Sequence, residues 1–117
     1  MRLYGFVMYN LSGIQKGIQF GHCALEYAHR YGQDESYIDF IENHKTFILL
    51  SGGGSNDMLE RVEELEGLGI QFTTFREPDL NNSLSAICFL VDEEDYDDPD
   101  EYGVNPIKQY IKQFRLA

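Results

Sequence analysis

Thr46-Phe47-Ile48-Leu49-Leu50-Ser51-Gly52-Gly53-Gly54-Ser55-Asn56-Asp57 is an apolar run that gives way to three glycines and a polar cluster. A run without polar alternation predicts an interior strand covered on both faces. The glycines and polar residues then read as a loop that opens a helix over about 58–68. Gly69 ends that helix at the position after the C-cap, where a left-handed residue is favoured. A strand covered on both faces needs helices on either side, and the flanking sequence supplies them. Upstream, residues 2–10 are aromatic and β-branched and predict a first strand. Leu11-Ser12-Gly13 is a turn with Ser12 placed as a helix N-cap, and a helical pattern runs on to about Tyr31. Ile14, Ile18, Gly21, Leu25 and Ala28 recur on one side and predict the face laid on the sheet. Gly17, Gly21, Ala24 and Ala28 form a small-residue track beside it, suited to close approach.

After Gly32-Gln33-Asp34 a shorter helix fits 35–43. Downstream of the opening stretch, 70–75 alternates as a strand, 76–83 is a polar loop, and 84–91 is another apolar strand. The last two strands are expected to pair antiparallel. A final helix covers about 106–116, with Pro106 in its first turn. The order β-α-α-β-α-β-β-α predicts a three-layer α/β fold: a small mixed four-stranded sheet with helices on both faces.

The 117 residues fit one domain over 1–117, and a hydrophobic fraction of 43% with eight Tyr and eight Phe can fill its core. No apolar run approaches the roughly 18 residues of a membrane span, so no membrane partner is expected. The N-terminus reads as a strand and not as a signal peptide. Cys23 and Cys88 lie in apolar runs and read as buried reduced thiols, which suits a cytoplasmic location. The three histidines have no ligand spacing, so neither metal nor cofactor is expected. The formal charge of −11 is unevenly spread: residues 92–101 hold 8 of the 20 acids and no base. An acidic loop over 92–103 is a solvated segment or a docking surface for a basic protein partner. This is not the basic footprint of a nucleic-acid binder.

Three segments carry polar groups that could do chemistry. In the first helix Gln15, Gln19, His22 and Glu26 form a polar stripe, with Lys16 one position off it. They could bind or polarise a substrate, or be boundary residues bonded to nearby loops. Gly52, Gly53, Gly54 and Ser55 form a candidate anion-binding loop at a helix start, or a mechanical turn. Arg76, Glu77, Asp79, Asn81, Asn82 and Ser83 lie past the C-terminal end of a strand, where open α/β sheets place ligands. They are also turn residues.

Gln15-Lys16-Gly17-Ile18-Gln19-Phe20-Gly21-His22-Cys23-Ala24 resembles the helix signature of the archaeal/eukaryotic-type (type 2) peptidyl-tRNA hydrolases, with Gln19 and His22 at that family's spacing. Arg76-Glu77-Pro78-Asp79-Leu80-Asn81 stands where that family carries its second signature, between the last two strands. The element order over about 2–91 is similar too. In this register the family's catalytic lysine falls on Gln15, and Lys16 follows it. The resemblance implies hydrolysis of the ester between peptide and tRNA, or of another ester. Lys16, His22, Glu77 and Asp79 would be catalytic, with Gln15, Gln19, Arg76, Asn81, Asn82 and Ser83 binding substrate. It also implies a homodimer. The alternative is a non-catalytic interaction protein on the same fold, using the acidic run or the glycine-rich loop.

Overall fold

The computed structural model describes residues 1–96 and 105–117. Four strands form one mixed sheet: β1 (Arg2–Met8), β2 (Phe47–Gly53), β3 (Thr73–Glu77) and β4 (Ser83–Val91), in the spatial order β2-β1-β4-β3. β1 runs parallel to β2 and antiparallel to β4, and β3 and β4 are antiparallel as expected. Helices α1 (Gly13–Tyr31) and α2 (Glu35–Asn43) cover one face. Helices α3 (Ser55–Gly67) and α5 (Pro106–Lys112) cover the other, and α4 (Glu93–Tyr96) is one short turn at the start of the acidic run. The three-layer α/β fold is therefore the one the element order predicts. Most of the acidic loop, 97–103, lies outside the described residues.

The helix ends follow local chemistry. Ser12 Oγ accepts the Gln15 N–H at the start of α1. Gly69, at φ 70°, closes α3 in a Schellman motif, with Ile70 N–H bonded to Leu65 O and Gly69 N–H to Glu66 O. Asn105 Oδ1 accepts from Ile107 and Lys108 N–H to start α5. Tyr110 then ties α5 to α3, its hydroxyl donating to Glu64 at 2.9 Å while Arg61 pairs with the same carboxylate. Burial, with this carboxylate beside it, pushes the Tyr110 phenol above its ordinary pKa.

Several expectations are corrected. β2 is an edge strand and not an interior one. The central places go to β1 and β4, whose residues 3–8 and 84–89 are buried. The outer edge of β2 is instead covered by the chain beyond α5. Ser51 N–H donates to Arg115 O and Ala117 N–H to Leu49 O, each at 2.9 Å. The last helix accordingly stops at Lys112 and not near 116. α3 starts at Ser55, three residues early, and β3 is displaced to 73–77. Arg76 and Glu77 thus belong to a strand, and the loop after it is shorter than expected.

The larger correction concerns α1. The aliphatic stripe faces solvent: Ile14 is 78% exposed, Leu25 70% and Ile18 44%. The sheet is met by Gln19, Phe20, Cys23 and Tyr27. Phe20 and Tyr27 supply the apolar surface of the buried side, and hydrogen bonds let Gln19 in with them. The small-residue track does not set the close approach either. Gly17 and Gly21 face open space, whereas Gly5 on β1 lies under the Phe20 ring, where a Cβ would overlap it. Cys23 and Cys88 are buried free thiols in this layer, as expected. A hydrogen bond to Cys88 draws the Cys23 thiol below its ordinary pKa, and burial pushes Cys88 well above its own. Gly5→Ala should destabilise the fold by about 1–3 kcal/mol through overpacking. Urea unfolding checks this, and an unchanged midpoint would mean that Phe20 yields freely.

Candidate functional site

β3 presents every second residue to α1, and each of the three finds a partner there. Thr73 Oγ1 donates to Cys23 O at 3.2 Å, while Cys23 Sγ donates to Thr73 O at 3.3 Å. Phe75 stacks on the His22 ring with centroids 4.6 Å apart and planes 22° from parallel. Glu77 Oε2 accepts from Gln19 Nε2 at 3.1 Å. The strand period of two and successive turns of the helix thus bring the start of α1 against the end of β3.

Gln19 is the hub. It is only 2% exposed, so each of its polar atoms needs a partner. Nε2 donates to Glu77 and, at 3.4 Å, to Gln15 Oε1. Oε1 accepts from the Ser85 hydroxyl at 2.6 Å. A carboxylate can only accept, so the atom of the amide facing Glu77 must be the nitrogen. That leaves the oxygen for Ser85. The other Glu77 oxygen, Oε1, accepts the Asp79 N–H at 3.3 Å. The carboxylate is therefore held from two sides at the mouth between helix and sheet.

The other predicted residues divide. Gln15 joins the network, and exposed His22 borders it through Phe75. Asp79 contributes its backbone N–H, and its side chain is exposed. Lys16 is half-buried at the helix start, and its ammonium reaches no carboxylate among the described residues. Arg76 donates to Asn82 O at 3.2 Å, and Ser83 Oγ donates to Leu80 O at 2.6 Å. Asn81 and Asn82 hold left-handed φ angles of 55° and 56° and turn the chain after a short 3-10 turn at Pro78–Leu80. These four shape the loop beside the carboxylate and do not touch it.

The glycine-rich stretch is not brought to this site and is not a free-standing loop: Gly52 and Gly53 end β2, Ser55 begins α3, and Gly54 alone joins them. Gly53 has φ 90°, and a Cβ on it would overlap Asp57; a Cβ on Gly52 would overlap Met58. The Gly54 N–H donates to the Asp57 carboxylate at 2.9 Å. The chain's own carboxylate thus takes the Gly54 amide and sets a negative charge beside Gly52, Gly53, Gly54 and Ser55. Among the described residues no group of three or more His, Cys, Asp or Glu side chains is placed to hold a metal ion.

Sequence reasoning gave no role to Ser85. Its signal was that of a hydroxyl in the otherwise apolar run 84–91, which a buried strand must satisfy. Compared with known proteins, the chain matches no family model and no curated protein. Gln19→Leu would leave the Ser85 hydroxyl without its 2.6 Å acceptor and Glu77 without its amide donor. A loss of about 1–3 kcal/mol in unfolding free energy is expected by denaturant titration. A neutral result would mean that water replaces the amide.

Proposed function

We propose that this protein is an ester hydrolase of the peptidyl-tRNA hydrolase type, with Glu77 as the base that activates water. The observation that supports the reading is the Gln19–Glu77 hydrogen bond, 3.1 Å long between residues 58 apart. It joins the two segments that carry the resemblance. A carboxylate gripped by an amide and a backbone N–H keeps a fixed direction, which is what general-base catalysis on a bound water needs. In this scheme Glu77 takes a proton from water as its oxygen attacks the ester carbonyl. The Lys16 ammonium offsets charge on the tetrahedral oxyanion, and the leaving ribose oxygen collects the proton. His22, Asp79 and Gln15 border the reacting ester. Arg76, Asn81, Asn82 and Ser83 form the rim that receives the rest of the substrate, tRNA or another ester.

Release of labelled peptide from peptidyl-tRNA tests this directly. Glu77→Gln should lower the rate about 10²–10⁴-fold through loss of the base, and Lys16→Ala about 10²-fold through loss of the oxyanion partner. Wild-type turnover no higher than background would sink the reading.

A separate observation favours a second reading, a non-catalytic interaction protein. Ile14, Ile18 and Leu25 form an outward apolar stripe along α1. Such a stripe suits a protein contact, including the homodimer that the resemblance implies. The exposed acids Asp92, Glu93 and Glu94 suit a basic partner. A cytoplasmic location goes with either reading. Under the dimer version, Leu25→Glu should shift the protein to monomer in sedimentation equilibrium while leaving its helical circular dichroism unchanged. A wild type that is monomeric at every concentration would remove the dimer.

A further inference from the structure

The pairing of β3 with β4 breaks at one place. Phe75 is opposite Ala86, but Arg76 is opposite Leu84, so Ser85 is the extra residue of a β-bulge. Its effect on side-chain direction is visible in the two cores. Leu84, Ile87 and Phe89 belong to the core under α3 and α5, and Ala86 and Cys88 to the core under α1. Regular alternation back from Ala86 would send Ser85 to the α3 side. The bulge turns it to the α1 side instead, fully buried, with its hydroxyl 2.6 Å from Gln19 Oε1.

We propose that Ser85 is a positioning residue of this site, fixing through Gln19 the direction in which the Glu77 carboxylate points. The inference rests on the hydrolase reading for its kinetic consequence, though not for its geometry. Gln19 has three rotatable side-chain bonds, and an amide can present either end. Glu77, which only accepts, selects the nitrogen end, and Ser85 pins the oxygen end where it lies. The Gln19 oxygen accepts only, so the Ser85 proton is committed to it across the 2.6 Å contact, and Phe75 O at 3.3 Å is a secondary neighbour. With its oxygen held, the amide turns its N–H groups toward Glu77 and Gln15. Ser85 itself does not move, because the residues that follow it in β4 are bonded to strands on both sides. The relay therefore runs from a rigid strand, through one amide, to the carboxylate.

The test uses the whole protein and two readouts on Ser85→Ala, with Ser85→Thr as the variant that keeps the hydroxyl. In wild type the Gln19 side-chain NH₂ should give one pair of exchange-protected resonances. In Ser85→Ala its hydrogen exchange should speed up about tenfold or more, as expected for a bond released from a buried network. The rate constant for peptide release should fall about 10-fold to 100-fold with KM changed less than about twofold, the pattern of lost alignment. Ser85→Thr should restore both. Unchanged exchange of the Gln19 amide in a folded Ser85→Ala protein overturns the proposal, and so does loss of amide protection with kcat intact. A wild type that releases no peptide sinks the hydrolase reading alone. The amide readout then still decides whether Ser85 fixes Gln19 against Glu77.

Discussion

A polar amide sits where a hydrophobic residue would ordinarily go, and the arrangement around it follows from keeping that amide satisfied. Gln19 is buried between α1 and the sheet. An unpartnered amide there would cost about 1–3 kcal/mol or more, a large share of the stability of a small domain. Glu77, Ser85 and Gln15 together meet its needs. Each of those partners imposes a condition. Glu77 must lie on the inward side of β3, so Thr73 and Phe75 lie inward as well. Ser85 must leave the normal alternation of β4, which requires the bulge. The helix must be rotated so that Gln19, Phe20, Cys23 and Tyr27 share the buried side, and this turns Ile14 and Leu25 to solvent.

This rotation explains which parts of the fold were legible in the sequence. Caps, turns and breakers act over a few residues, and they could be read: Ser12 at the start of α1, Gly69 at the end of α3, Pro106 in the first turn of α5. The span 35–43 of α2 was also correct, because a helix bounded by Gly32-Gln33-Asp34 and the His44-Lys45 pair has little freedom in its limits. Facing is a different matter. The aliphatic periodicity of α1 suggested one buried side, whereas aromatic volume and one satisfied amide chose another. Neither the fit of Phe20 over Gly5 nor the reach from Gln19 to Ser85 is visible from spacing within the helix. The same holds for β2. Its run of apolar residues signalled cover, but not that a distant segment of the chain would give part of it.

The site was legible in outline for a related reason. Gln15, Gln19 and His22 could be grouped by helical spacing, and 76–83 by its turn chemistry. That the two regions meet through Gln19 and Glu77 depends on strand order and is a tertiary fact. Ser85 escaped because a bulge depends on pairing between strands: the strand partner, and not the sequence of β4, decides where the extra residue falls. The glycine-rich stretch has a composition suited to an anion, and in the fold its Gly54 N–H donates to Asp57, three residues on.

The segment that closes the β2 edge has a consequence for how the molecule assembles. Leu50 bridges to Leu116, far later in the chain. Until that distant segment arrives, the outer N–H and C=O groups of β2 stand open beside an apolar surface that includes Phe47. An open, apolar strand edge is a template for pairing with any extended chain. A change that frees residues 115–117 from β2 would therefore bare a strand edge able to pair with another extended chain.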